Sequence, residues 1–398
     1  MKLSVAANYD LDLVATLAGF PVAEVYGKFP TDLVGGGRPS YMGTPLTAHY
    51  LAVYASALSR HGIAFNYLLN SSCLGNREWS RSWQKKLMRL LEGLASMGIK
   101  RLTVSTSYLL ERIKAAFPDF YIKVGIFAQI DTPRRARFWR DLGADALTLE
   151  SFSINRDFEA LRAIRAAVDC ELQLVANHPC LPNCAMQPYH QNGFAHSSDG
   201  SRRLFVDYCF LQCTFRRLED PSLLIKAGWI RPEDTRFYES LGYDSFKLLE
   251  RGIPSVDLAE RVAAYSRRRS IPNLAELILP YGFKRAPAKR RFWLLRHFFR
   301  PGQVRLSRLA PLYGMMKDQG MLFALDRNPF YIDSEKIPAD FIEGFAQRRC
   351  SALACAECRY CDGIAAGAVR VEPEFRHEQL ARLRQTHQDL IHGGLWHV

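Results

Sequence analysis

The sequence predicts an α/β chain built on a TIM-like (β/α)8 barrel, with a cysteine-rich insertion and a small C-terminal appendage that carries more cysteines. Three observations lead there. Over the first two-thirds of the chain, short β-like runs alternate with helix-like runs, which implies a mostly parallel sheet. The number of such units approaches eight, so a closed barrel fits better than an open sheet. After the last barrel-like helix the rhythm stops near residue 270, and a basic stretch and a dense cysteine run follow.

Taken in order, "KLSVAAN" reads as strand and "DLVATLAGF" as helix, and "VAEVYG" leads into the glycine-rich loop "LVGGGRPS". "LTAHYLAVYASALSRHG" is amphipathic and stops at Gly62, "AFNYLLN" is strand, and "EWSRSWQKKLMRLLEGLASMG" is a striped helix closed by Gly98. The pairs "RLTVS" and "YLLERIKAAF", "YIKVGIF" and "TPRRARFWRDLG", and "ADALTLE" and "FEALRAIRAAV" continue the alternation. "CELQLVAN" precedes the cysteine-rich insertion, after which "EDTRFYESLG", "YDSFKLLER" and "SVDLAERVAAYSRRR" complete the barrel. The expected organisation is a barrel over residues 1–270, a basic connecting segment over 271–345, and a cysteine-bearing segment with a final helix over 346–398.

The chain has 398 residues, of which 48% are hydrophobic and 23% charged. A core of this size needs no disulfide staples. The start, "MKLSVAANYDLDLVATLAGF", is a poor signal peptide because acidic residues interrupt it, and no apolar run is long enough to span a membrane. A cytoplasmic protein is expected. In that compartment ten cysteines point to metal ligands or redox groups. The net charge of +13 favours acidic or polyanionic partners.

Two Cys-x-x-x-Cys pairs lie in the insertion, Cys180 with Cys184 and Cys209 with Cys213. Four thiols from two pairs can close a tetrahedral sulfur site, for zinc or for an iron–sulfur cluster. A second set, Cys350, Cys355, Cys358 and Cys361, falls in "CSALACAECRYC". Its compact Cys-x-x-Cys-x-x-Cys core favours an iron–sulfur cluster over zinc, although Asp362 stands where a ferredoxin-like run has proline. Cys73 follows a strand and reads as a ligand, a reactive thiol or a small buried residue; Cys170 reads as core.

Polar residues at strand ends are candidates for the barrel mouth: Asn70, Gln129, Glu150, Asn177, His178 and Lys247. Of these, Glu150, His178 and Gln129 are the catalytic candidates, with Glu150 and His178 suited to proton transfer. His190 and His196 lie between the cysteine pairs, as loop residues or substrate contacts. The stretch Lys284–Arg308 interleaves arginines with Phe292, Trp293 and Phe298, as an RNA-tracking surface would. An amphipathic helix with its aromatics inward explains the same pattern.

Several fragments resemble the U32, or collagenase-like, peptidase family. They are the N-terminal "AAN", "FNYLLNS", "VGIFAQIDTPRRARFWRDLGADALTLESFS" and "YDSFKLLERG", and together they cover roughly residues 1–270. The resemblance implies that Cys180, Cys184, Cys209 and Cys213 hold a [4Fe–4S] cluster. It also implies oxygen-independent hydroxylation of a small molecule or an RNA base, as in relatives acting on ubiquinone precursors or RNA. The sequence departs from the family pattern where Glu250 and Arg251 precede Gly252.

The expected function is therefore an iron–sulfur modifying enzyme acting on a small molecule, RNA base or peptide, with an electron donor or partner protein. One alternative is a peptidase, though no Ser/His/Asp or His-Glu-x-x-His signature is present. The other is a non-catalytic RNA- or protein-binding scaffold stabilised by metal clusters.

Overall fold

In a computed structural model of the chain, eight parallel strands close into a barrel in sequence order. The structure describes all residues except 41–42, 44, 202, 250–252, 280–298, 301, 310–328, 349, 351–354 and 397–398. The strands are β1 (Lys2–Ala6), β2 (Val22–Gly27), β3 (Ala64–Leu69), β4 (Arg101–Val104), β5 (Tyr121–Val124), β6 (Ala146–Thr148), β7 (Glu171–Val175) and β8 (Ser245–Leu248). β8 returns to β1 through the register Leu3 to Phe246 and Val5 to Leu248, which closes the ring.

The helices form where the sequence places caps and stripes. Helix α1 (Leu11–Ala18) follows Asp10, whose carboxylate accepts from the Asp12 amide. Helix α2 (Ala48–Arg60) starts at Thr47, and α3 (Arg81–Ser96) at Ser80, whose hydroxyl accepts from the Trp83 amide. Along α3, Trp83, Leu87, Leu91 and Leu94 form one buried face, each contributing about 1.5–3 kcal/mol by leaving water. Helices α4 (Ser107–Ala116), α5 (Pro133–Asp141) and α6 (Phe158–Ala167) follow β4, β5 and β6. Thr132 caps α5 with Pro133 in its first turn, and Asp157 caps α6.

The barrel interior departs from the usual filling of branched aliphatics. Ser4, Glu24, Asn66, Thr103, Lys123, Thr148, Gln173 and Ser245, one from each strand, are all buried. They bond to one another. Ser4 donates to Glu24 at 2.6 Å, Lys123 donates to the same carboxylate oxygen at 2.7 Å, and Asn66 donates to the other at 3.2 Å. Thr103 donates to Asn66, Thr148 to Gln173, and Gln173 to Ser245. Two residues further along the strands, the apolar Ala6, Tyr26 and Leu68 form a separate small cluster above this polar layer.

Between β7 and β8 the insertion forms α7 (Gln187–Ser197), α8 (Tyr208–Glu219), α9 (Leu223–Lys226) and α10 (Thr235–Ser240). Helix α11 (Ser255–Arg267) and the short α12 (Ala275–Ile278) follow β8. Strand β9 (Phe330–Ile332) pairs antiparallel with β10 (Val369–Val371), so residues from 330 onward fold with the C-terminal segment. That segment packs on the barrel: Trp229 is fully buried and stacks on Phe341 with ring centroids 5.4 Å apart. Most of the basic stretch Lys284–Arg308, including Phe292, Trp293 and Phe298, lies outside the described residues, as does the Glu250–Gly252 motif.

Candidate functional site

The four central cysteines reach one cavity by two local devices. In α8, Asp207 caps the helix by accepting from the Phe210 amide at 3.1 Å. One helical turn then separates Cys209 from Cys213, and another separates Cys213 from Arg217, so all three share a buried face. Cys180 and Cys184 lie on the loop that leaves β7. Asn183 there takes the left-handed conformation with φ 48°, and its amide donates to Phe152 O at 3.0 Å, which turns the loop inward. All four thiols line a largely apolar cavity of about 240 Å³ above the barrel mouth.

The floor of this cavity comes from the strand ends. Tyr26, Leu68, Asn70, Val175 and Lys247 all face it. Lys247 lies 4.0 Å above the Tyr26 ring, and the Tyr26 hydroxyl donates to Leu248 O. Phe127, Phe152, Phe194 and Phe210 add aromatic wall. Opposite them, Gln187 and Gln191 supply amides and His190 supplies a ring held 2.9 Å from Asp207.

Electrostatics at the thiols are set by burial. It pushes Cys209 up to about 12 and raises Cys180 and Cys213 as well. Arg217 works in the opposite direction on Cys180 and Cys213, and its Nη1 lies 3.4 Å from Cys213 Sγ. Its Nη2 donates to Pro179 O, while its Nε has no partner among the described residues. His178 bridges Ser151, at 2.5 Å from Nδ1, and Cys180, at 3.0 Å from Nε2. Burial drops His178 to about 3, so its ring is neutral across ordinary pH.

Among the described residues no three His, Cys, Asp or Glu groups gather as closely as a single metal ion requires. A polynuclear cluster takes each thiolate on a different iron and draws its four thiols to one cavity. Cys180, Cys184, Cys209 and Cys213 satisfy that, with a cation beside them to offset thiolate charge. The donor set therefore fits the cluster that the resemblance implies.

The other expected residues fall at several places. Glu150 does not line the cavity: its carboxylate accepts from the amides of Phe152, Ser153 and Ile154 and from the Ser153 hydroxyl, and so organises the loop after β6. Gln129 reaches the site through Gln191, at 3.4 Å. Asn177 bonds Leu249 and Leu277 backbone groups and holds β7 to the chain after β8. His196 pairs with Asp199, outside the cavity. Cys73 is half-buried and outside the cavity wall, and Cys170 packs against the core.

The C-terminal cysteines also converge. Cys350, Cys355, Cys358 and Cys361 line a second, much smaller cavity of about 30 Å³ with Lys226, Phe345 and Asp362. Sequence reasoning missed Arg217 because arginines default to solvent; its spacing from Cys209 and Cys213 was the available signal. It also missed Ser151, which carries no motif.

No profile of a known protein family matches the chain. An uncharacterized protease of Methanocaldococcus jannaschii is 31% identical over 255 residues, spanning 64% of this chain and 75% of that protein. Among solved structures, the U32 peptidase Mk0906 is 22% identical and covers 64% of this chain and 93% of its own, with a TM-score of 0.48. A D-psicose 3-epimerase crystallised with D-fructose is 14% identical and covers 50% of this chain and 82% of its own, with a TM-score of 0.32. No helix among the described residues is long and apolar enough to cross a membrane. With a relative of this identity matched over three-quarters of its length, the chain belongs to the U32 peptidase family.

Proposed function

We propose that the chain is an iron–sulfur enzyme that modifies a substrate held at the barrel mouth, by oxygen-independent hydroxylation or a related reaction. The observation that carries this reading is the arrangement of four thiols around one cavity of about 240 Å³ at the barrel mouth. Cys180, Cys184, Cys209 and Cys213 would hold a [4Fe–4S] cluster there, and Cys350, Cys355, Cys358 and Cys361 a second one, with zinc as the alternative. When bound, such clusters supply one-electron transfer.

The chain's own residues would do the rest. The aromatic wall favours a flat, apolar body, and the amides of Asn70, Gln187 and Gln191 orient its polar edge. Asn70 Oδ1 and Gln191 Nε2 have no partner among the described residues and are available to such an edge. Neutral His178 can hold a proton at Nε2 beside Cys180, with Ser151 fixing Nδ1. The basic net charge suits an acidic small molecule or an RNA base.

Anaerobic purification followed by iron, sulfide and zinc analysis tests the reading. Iron with acid-labile sulfide is expected, together with loss of about half of it in Cys209→Ser if both sites hold the same cluster type. Zinc alone, or an unchanged iron content in Cys209→Ser, overturns it.

One observation favours the peptidase alternative. Cys180, His178 and Ser151 stand in nucleophile, base and orienter order. Burial argues the other way, because it keeps the Cys180 thiol protonated and the His178 ring neutral. Fast alkylation of Cys180 at neutral pH in metal-free protein, together with peptide hydrolysis, would favour the peptidase.

A further inference from the structure

Helix α7 divides two cavities. Gln187, Gln191 and Phe194 face the cavity at the barrel mouth, while Tyr189, Gly193 and His196 face an outer cavity of about 410 Å³. Tyr208 and Trp396 belong to the outer wall, and Cys209 and His190 line both cavities. The wall that carries Cys209 is therefore reached from two sides. A substrate at the barrel mouth takes one of them and leaves the other.

The outer cavity continues into the surface around it. Arg203 and Leu204 line it and also line a neighbouring hollow with Phe299, Arg300 and Gln303. The chain then runs along the C-terminal tail: the Arg305 amide donates to Leu395 O at 3.1 Å, and Val304 bridges Trp396. Nine large hydrophobic side chains stand exposed among the described residues, and four of them fall on this face. They are Tyr189 at 69%, Phe299 at 54%, Leu306 at 56% and Ile391 at 55%. Single exposed hydrophobics are ordinary, whereas a gathering of them marks an interaction surface.

Charge selects the partner. Arg203 and Arg305 are exposed and form no ion pair among the described residues, and Arg308 lies 4.0 Å from Asp389. Asp207, which lines the outer cavity, is buried and lies 2.9 Å from His190. An apolar centre with a cationic rim fits a protein whose own rim is acidic. A nucleic acid fits less well, because Leu306 and Ile391 are aliphatic and offer no ring for a base to stack on.

We propose that this face docks an acidic one-electron-donor protein of the ferredoxin type, whose electron reaches the central site across the wall of Cys209 and His190. One electron leaves the reduced donor and is taken up by the oxidised group at the central cysteines; no bond forms or breaks and no proton moves. The electron role rests on the reading that these cysteines hold a cluster, but the docking does not require one. The C-terminal cysteine cavity shares no described lining residue with this face, so electrons bypass it.

The test uses the full chain purified anaerobically, with iron and sulfide content read first. Binding of a plant-type ferredoxin is titrated at low and at physiological salt. The rate at which the chain oxidises the reduced ferredoxin is followed by stopped flow, with dithionite as a reductant that needs no docking. Binding is expected to weaken as salt rises. Arg203→Glu combined with Arg305→Glu should raise Kd by about tenfold or more and slow ferredoxin oxidation to match, while dithionite still reduces the chain as fast as in wild type. Ile391→Ser should weaken binding at both salt concentrations alike. Arg162→Glu, at an exposed position on α6, should change neither binding nor rate.

If neither ferredoxin nor flavodoxin, a second acidic donor, binds at low salt, the proposal is overturned. Equal binding by wild type and the double variant overturns it as well. A short single-stranded uridine oligomer that binds in their place, and is lost in the double variant, overturns it in favour of RNA. Loss of ferredoxin oxidation in Cys358→Ser with the central iron retained shows entry through the C-terminal site and overturns the route. A chain without iron that still binds ferredoxin through Arg203 and Arg305 keeps the docking face and overturns the cluster reading. An iron-loaded chain with no arginine-dependent binding does the reverse.

Discussion

Inside the barrel, Glu24 receives hydrogen bonds from Ser4, Asn66 and Lys123, whereas at the mouth Asn70 Oδ1 and Arg217 Nε have no partner among the described residues. The two layers are near neighbours along the same strands. In the lower layer a buried charge meets an opposite charge, and the remaining lone pairs are used. In the upper layer buried thiols, a neutral histidine and an arginine with no carboxylate partner among the described residues surround a cavity. A buried polar group left open costs stability, so such groups concentrate where a ligand completes them. The lower layer reads as scaffold and the upper layer as site.

The sharpest way to break this contrast is to unbalance the scaffold. Lys123→Met removes the cation bonded to the buried Glu24, and a loss of about 3–5 kcal/mol is expected in urea unfolding. Metal content per folded chain should not change. If instead the variant folds normally and loses metal, the two layers are not separable in this way.

Acid should act on the same layer. Burial alone would raise Glu24, but the charge and hydrogen bond of Lys123 and the bond from Ser4 outweigh it and hold the carboxyl at about 2, below its ordinary 4.5. The unfolded chain therefore takes up the proton first as pH falls. The stabilisation is complete above about pH 4.5 and disappears as pH drops through about 2, on the order of 3 kcal/mol. Unfolding free energies at several pH values, set against Glu24→Gln, check this. The variant should lose that part of the slope, and an identical pH dependence would show that Glu24 is not its source.

Much of this scaffold was legible in the sequence. Strand and helix periods place β1 to β8 because alternation and capping are local properties, as at Ser80 with Trp83 or Thr132 with Pro133. The polar layer was legible too, since Ser4, Glu24, Asn66 and Gln173 each stand two residues before the mouth layer. Barrel interiors are ordinarily filled by branched aliphatics, so such a layer carries no familiar signature. The site was less legible. Cys180 and Cys209 are brought to one cavity by the turn at Asn183 and the seating of α8, and neither is a local property of the cysteines. Glu150 shows the reverse: its position at a strand end suggests chemistry, but the following loop consumes its carboxylate.

At the mouth, Arg217→Met should separate packing from charge. The aliphatic part of the side chain is kept, while the contacts to Cys213 and Pro179 O are lost. A supporting group of this kind commonly contributes 10–100-fold to metal affinity. With a cluster at the central cysteines as proposed, the expected result is a folded protein that releases it at correspondingly lower chelator. Arg217→Lys should recover part of the loss. An unchanged affinity would remove Arg217 from the site and leave it as packing.

The smallest effect is expected at Asn70. Its Oδ1 already lacks a partner, so Asn70→Leu removes an unmet acceptor and should change stability by no more than about 1 kcal/mol in either direction. The same change in the lower layer, at Asn66, would break bonds to Glu24 and Thr103 and should cost more. Thermal unfolding of the two variants side by side gives the comparison directly. If Asn70→Leu proves as damaging as Asn66→Leu, Asn70 is held by contacts that make it part of the scaffold. If it is near neutral and weakens ligand binding, the mouth layer is the place where this barrel leaves polar groups open for a substrate.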